Sequence, residues 1–313
     1  MAKPEGLPDH DLGDQGLLSN SDDDPRFDDD RVHEIHRAIR AVLDGYPDTM
    51  AIGEIWVRDN ERFSRYLRPD ELHLGFNFRL AESAFDADEV RGAIEHSLDA
   101  VTRVGATPTW TLSNHDVDRE VTRYSGGEAG LARARAMLLV ELALPGAVFL
   151  YNGSELGLPS AALPDEALQD PVWERSGHTE RGRDAVRVPI PWEGDEPPFG
   201  FSPEGTTTWL PIPAEWSSST VETQLEDMSS MLSFYRTALE LRAQRPEFRG
   251  DAIDWYGSPD GAFAFRRRGG GLICVLNTSS EAVTLPPGTL LLASAPLADG
   301  MLPPDCAAWL IAS

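Results

Sequence analysis

The chain has 313 residues, 41% of them hydrophobic, and 27 basic against 52 acidic side chains give it a formal charge of −25. That length fits one large domain, or one with a small companion, and supplies ample apolar side chains for a core. A surface so negative repels phosphate backbones and anionic membranes, so neither nucleic acid nor membrane is an expected partner, and the acidity reads as solubility rather than function.

No apolar run approaches the ~18–20 residues needed to span a bilayer. The opening MAKPEGLPDHDLGDQG has neither the basic nor the apolar region of a signal peptide. Two cysteines, Cys274 and Cys306, each lie inside an apolar run and fit a reducing compartment better than a disulfide framework. A soluble, cytoplasmic protein is expected.

Residues 1–30 are rich in Asp, Gly and Pro without periodic apolar positions. Read alone they are a disordered acidic leader or a long loop. From Arg31 the pattern changes: Val32, Ile35, Ile39, Val42 and Leu43 recur at helical spacing, and Gly45 ends the run. A strand is predicted over Ala51–Val57 and a second over His73–Phe78. A helix from about Asp88 carries Val90, Ile94, Leu98 and Val101 on one face, and Gly105 and Pro108 break the chain before a third strand through Trp110-Thr111-Leu112. Helix 128–143 is apolar nearly all round, which predicts deep burial. After Pro145-Gly146, a fourth strand runs over Ala147–Tyr151.

Residues 154–225 form a long Pro-, Trp- and Gly-rich stretch, a length that usually serves function. A helix is predicted over about 227–243. Beyond Pro246 come short β runs at Gly261–Phe265, Gly271–Asn277, Val283–Leu285, Thr289–Leu292 and Ala307–Ile311, which read as a small antiparallel β domain. Strands alternating with helices predict an α/β parallel sheet, either doubly wound or a (β/α) barrel, although only four of a barrel's eight units are counted.

Two of the predicted strands carry chemistry, Glu54 mid-way along the first and a polar end on the third. Glu54 lies among Ile52, Gly53, Ile55 and Trp56, an apolar setting that disfavours a carboxylate's charge and suits it to donate a proton. The third strand ends in Ser113-Asn114-His115-Asp116, at the carboxyl edge where α/β folds place their sites. Glycoside hydrolysis needs a proton donor and a second, ionised carboxylate facing the developing oxocarbenium ion. Equally, Glu54 could be a strand-end residue paired with an arginine, and His115 a turn residue.

These residues resemble a known family. Gly53-Glu54-Ile55-Trp56 is similar to the acid/base segment at the fifth barrel strand of α-amylase-type glycoside hydrolases (family 13), and Ser113-Asn114-His115-Asp116 to their seventh-strand segment. Tyr151-Asn152-Gly153-Ser154-Glu155-Leu156-Gly157 resembles the YQGEELG of the eighth strand, departing at Asn152 and Ser154. The stretch Arg183–Trp192, RDAVRVPIPW, resembles the RDxxRxPxxW of the α-glucosidase and oligo-1,6-glucosidase branch.

The resemblance implies that Glu54 is the general acid/base, that Asp116 stabilises the transition state, and that His115, Asn114 and Arg187 bind substrate. It calls for no cofactor and assigns no metal ligand. It implies strands five to eight of a TIM (β/α)8 barrel followed by a small antiparallel β-sandwich. Residues 1–30 would then be a loop preceding the fourth barrel helix, 31–247 the partial catalytic barrel, and 248–313 the C-terminal β domain.

The family's nucleophile, an Asp in a segment like GFRxDxAHG on strand four, has no counterpart in this sequence. Nor has the NH-type motif of strand three, and MAKPEGLP resembles the segment directly after strand four. Three readings remain: an α-glucosidase acting on oligosaccharides or disaccharides by a retaining mechanism in its full-length form, with this chain inactive alone; a glucosyltransferase or trehalose-forming enzyme of the same family; or a non-catalytic half that binds sugar or pairs with a separately encoded N-terminal half.

Overall fold

The computed structural model describes residues 28–312. Helix α1 (Val32–Leu43) leads into strand β1 (Ile52–Glu54), followed by α2 (Asn60–Arg65), β2 (Leu74–Phe76), α3 (Arg79–Glu82) and α4 (Ala87–Thr102). Next come β3 (Thr109–Trp110), α5 (Glu120–Arg123), α6 (Gly127–Ala143) and β4 (Ala147–Val148). The four strands fall where the periodicity predicts them but are shorter.

β1 and β2 pair in parallel, Ile52 opposite Leu74 and Glu54 opposite Phe76, and β3 pairs in parallel with β4, Trp110 opposite Val148. Between the two pairs the buried hydroxyl of Thr109 donates to the Gly75 carbonyl at 2.5 Å. All four carboxyl ends therefore open on one side.

Helix α4 forms as its sequence demands. The Asp86 side chain caps it by accepting from the N–H groups of Asp88 and Glu89, and Val90, Ile94 and Val101 are buried on one face. The C-terminal half of helix α6 is buried all round: every residue from Ala136 to Ala143 is at most 1% exposed. Its C-terminal carbonyls need outside donors, and two arginines supply them. Arg242 donates to Leu142 and Leu144, and Arg267 to Ala143 at 3.0 Å.

Glu141 on α6 is buried with its Oε1 unpartnered among the described residues. Burial, reinforced by the charge of Glu120, holds its pKa well above the ordinary carboxylate range. The unfolded chain gives up this proton above about pH 4.3, so the residue's stabilisation is complete below that pH and is lost as pH rises through the folded value. Glu141→Gln is therefore expected to remove part of the fall in urea midpoint between pH 5 and pH 8. A variant with an unchanged slope would contradict this.

The long stretch after β4 holds α7 (Pro171–Arg175), α8 (Val221–Glu226) and several 3₁₀ turns around its own core, in which Leu158, Ile190, Phe199, Leu210 and Trp216 are buried. The helix predicted over about 227–243 is observed as α9 (Met231–Gln244), capped by Ser230.

Seven strands complete the chain: β5 (Ala252–Tyr256), β6 (Ala262–Arg268), β7 (Leu272–Asn277), β8 (Val283–Thr284), β9 (Thr289–Ala293), β10 (Met301–Leu302) and β11 (Cys306–Ile311). The five-stranded antiparallel sheet runs β5-β6-β7-β11-β9, and β8 pairs with β10 apart from it. Side-chain alternation divides the large sheet. Phe263, Phe265, Cys274, Leu276, Ala307 and Trp309 pack with α6, while Ala264, Ile273, Val275, Ala308 and Leu310 pack with Val283 of β8 and Leu302 of β10. The sheet and the α/β region thus share one core. Cys274 and Cys306 are free and buried, and among the described residues no helix is long and apolar enough to cross a membrane.

The largest departure from the pattern expected of the sequence is α1. The apolar positions expected to face the core are exposed: Ile35 by 47%, Ile39 by 46% and Val42 by 63%. The helix is held by its polar face instead, because Glu71, whose side chain is fully buried, draws in His33 and Arg37.

Candidate active site

A cleft of about 390 Å³ opens at the carboxyl ends of the parallel strands. Glu54 from β1, Phe76 from β2 and Phe78 after it, Asn114 and His115 after β3, and Tyr151 after β4 line it. Three of the predicted residues therefore share one cleft.

Glu54 is less enclosed than its apolar neighbours predict. Strand alternation turns Ile52 and Glu54 to the same face, and both are exposed, while Ile55 is buried. No strand lies beyond the free edge of β1 among the described residues to cover them. The indole N–H of Trp56 donates to Glu54 Oε1 at 2.8 Å, and the Trp56 ring stacks on Phe78 at 4.0 Å. The carboxylate is thus oriented by an aromatic neighbour rather than by burial.

Asn114 builds the turn. Its Oδ1 accepts the N–H groups of Asp116 and Val117 at 2.8 and 2.9 Å, which leaves its amide nitrogen for other partners. His115 is exposed in the cleft. Asp116 does not line the cleft as it stands. Its Oδ1 accepts from Arg187 Nη2 at 2.7 Å and from Arg183 Nη1 at 2.9 Å, and His115 Nε2 lies 3.5 Å from its Oδ2.

Arg187 also donates from Nε to the His115 carbonyl at 2.8 Å. The five-residue pattern RDxxR on the 3₁₀ turn Asp184–Val186 thus places two guanidinium groups on one carboxylate. Arg183 is a site residue that the sequence reading does not single out, although the regular spacing of the two arginines is the available signal. Arg183 is itself held by Asp170, whose Oδ2 accepts from its Nε at 2.7 Å. Burial alone would raise the pKa of Asp170, but the hydrogen bonds from Arg183 and from the Val172 and Arg183 N–H groups outweigh it and hold it below its ordinary value.

Below the cleft, the Ser113 hydroxyl donates to the buried Glu120 Oε2 at 2.6 Å and lies 3.4 Å from Ser154 Oγ. Arg119, 1% exposed, donates to the carbonyls of Asn152 at 2.9 Å and Val186 at 3.3 Å. It ties the loop after β3 to the loop after β4 and to the RDxxR turn. Gly153 is needed there, because a Cβ at its φ of +90° would come within 2.8 Å of Arg119 Nη1. The side chains under the cleft are therefore fixed by each other. Among the described residues, no group of three His, Cys, Asp or Glu side chains is placed to hold a metal.

The family model "Alpha amylase, catalytic domain" matches residues 1–251. The chain belongs to the α-amylase catalytic-domain family. It is 32% identical over 258 residues to a probable α-glucosidase of Rhizobium meliloti (strain 1021), covering 80% of this chain and 46% of that one. It is 25% identical over 287 residues to the oligo-1,6-glucosidase IMA5 of Saccharomyces cerevisiae, covering 79% and 49%. Among solved structures, the α-glucosyl transfer enzyme XgtA superposes with a TM-score of 0.75 at 30% identity, over 90% of this chain and 54% of that one. The chain spans about half the length of the curated relatives it matches. Its relatives in the α-amylase family include enzymes named for hydrolysis and enzymes named for transfer.

Proposed function

We propose that this chain supplies the acid/base and transition-state-stabilising side of an α-glucosidase acting on oligosaccharides or disaccharides. On this reading its parallel strands are strands five to eight of a (β/α)8 barrel. The observation that carries the proposal is the convergence of Glu54 and His115 on one cleft, beside an Asp116 held by two arginines.

Glu54 protonates the glycosidic oxygen as the bond to the anomeric carbon breaks, and the same carboxylate then takes a proton from the attacking water. Trp56 holds one of its oxygens throughout. Arg183 and Arg187 hold one oxygen of Asp116, and its other, Oδ2, accepts from the sugar's hydroxyls. His115 and the Asn114 amide hydrogen-bond the same sugar. The carboxylate that forms the covalent glycosyl-enzyme comes from outside the described residues, because a retaining pair must lie about 5–5.5 Å apart and Glu54 is the one carboxylate lining the described cleft.

The test uses this chain joined to the part of the Rhizobium meliloti relative that it does not match. Glu54→Gln should cost about 10²–10⁴-fold in kcat/KM for alkyl α-glucosides. It should cost far less in kcat/KM for aryl α-glucosides, whose leaving group needs no proton. An equal loss on both would sink the assignment of Glu54. A second reading, transfer of the glucosyl group to a sugar acceptor, is supported by the likeness to XgtA and uses the same residues. The ratio of free glucose to transferred glucose among the products separates the two.

A further inference from the structure

The long stretch after β4 encloses a second hollow, of about 360 Å³, which shares no lining residue with the cleft. Its walls include Gln169, Pro198, Thr206, Thr207, Thr208 and Trp209. Charged residues make up 25% of the chain, yet none lines this hollow. Trp209 is 75% exposed, more than any other Trp, Tyr or Phe among the described residues.

The exposed indole is held in place by its neighbours. Leu210, next in the chain, is fully buried with Phe199, Ile212 and Trp216. The Thr208 hydroxyl donates to the Leu210 carbonyl at 2.6 Å, which fixes the backbone on both sides of Trp209. Another wall is anchored as firmly. The N–H groups of Gln169 and Asp170 both donate to the buried Asp184 carboxylate, within the RDxxR turn. The hydroxyls of Thr206 and Thr207 and the amide oxygen of Gln169 have no partner among the described residues, and all three side chains are exposed.

The lining selects its ligand by charge and shape. Without a cation or a carboxylate it offers nothing to an ionic ligand. Beyond Pro197-Pro198 lie Glu193, Asp195, Glu196 and Glu204, which repel an anion. A wholly apolar ligand would strip water from the hydroxyls and the amide without replacing their hydrogen bonds. A pyranose ring meets both demands. Its C–H faces suit a rigid indole, and its rim of hydroxyls suits side chains that both donate and accept.

We propose that this hollow is a second, non-catalytic sugar site for a neutral α-glucosyl oligosaccharide. One ring lies on Trp209, and its hydroxyls bond to Thr206, Thr207 and Gln169. The choice of an α-glucosyl sugar rests on the glucosidase reading above, whereas the site itself does not depend on hydrolysis.

The probe is maltotriose, titrated calorimetrically into the full 313-residue chain. Trp209→Ala should weaken binding about tenfold or more, and Trp209→Phe, which keeps an aromatic face, should stay within about threefold of the parent. The side chain is mostly exposed, so circular dichroism and urea midpoint of both variants should match the parent. No binding, or binding indifferent to Trp209→Ala, would overturn the proposal. Binding lost with His115→Ala but kept with Trp209→Ala would also overturn it, by assigning the sugar to the cleft. So would a dimer of the chain that Trp209→Ala dissociates, which would give the indole to a second copy. Trp209-dependent binding, with no turnover once this chain is joined to the unmatched part of the Rhizobium meliloti relative, would uphold this site and count against the glucosidase reading.

Discussion

Incubated alone with an aryl α-glucoside, the 313-residue chain is expected to release product at less than about 10⁻³ s⁻¹, against roughly 1–10³ s⁻¹ for ordinary enzymes. The described cleft presents Glu54 without a second carboxylate free to attack the anomeric carbon, because Asp116 is engaged by Arg183 and Arg187. A positioned general acid is worth about 10²–10⁴-fold, far less than the factor of about 10⁶ or more that enzymes reach. The open face adds to the deficit. Ile52 and Glu54 are exposed, so the site is wet and its charges are screened where a closed one would strengthen them. The check is a discontinuous assay with purified chain at high concentration. Turnover at an ordinary rate would mean that a nucleophile is present after all.

Trp309→Ala is expected to cost about 3–5 kcal/mol of stability, the range for deleting a fully buried aromatic side chain. Trp309 is 0% exposed, lies edge-on to Phe248 at 4.8 Å, and donates from its indole nitrogen to the Leu139 carbonyl of α6 at 2.8 Å. It faces the core shared by the C-terminal sheet and the α/β region, so its loss leaves a cavity between them and takes one donor from the Leu139 carbonyl. Urea unfolding followed by tryptophan fluorescence and by far-ultraviolet circular dichroism should shift together, as one cooperative unit. Loss of the C-terminal sheet's signal alone, with the helical signal unmoved, would show that the two regions unfold separately.

Much of this is readable from residue order. The 3.6-residue period places α4, and the apolar run over 128–143 places α6, whose C-terminal half is buried on all sides. The strand end at Asn114-His115 is recognisable because an abrupt change from apolar to polar marks the carboxyl edge of a buried strand, whereas Glu54 stands out as the one carboxylate in an apolar run whose end, at Glu54 itself, only the structure gives.

Three features are not legible, each for a physical reason. The orientation of α1 depends on Glu71, thirty-eight residues from His33, and no local pattern states that a buried carboxylate will overrule an apolar stripe. The exposure of Glu54 reflects what lies beyond the free edge of β1 and not its own neighbours in sequence. The clamp on Asp116 needs Arg183 and Arg187 to return from a long loop, and the Arg119 contacts that hold this loop are to backbone carbonyls, which carry no sequence signature.

Assaying the joined polypeptide tests the account most directly. This chain, and the same chain joined to the part of the Rhizobium meliloti relative that it does not match, are each purified and assayed with an aryl α-glucoside. The account predicts turnover from the joined polypeptide alone, its loss with Asp116→Asn, and the α-anomer of glucose as the first product by NMR. Turnover by this chain on its own, an undiminished rate with Asp116→Asn, or the β-anomer as first product would contradict it.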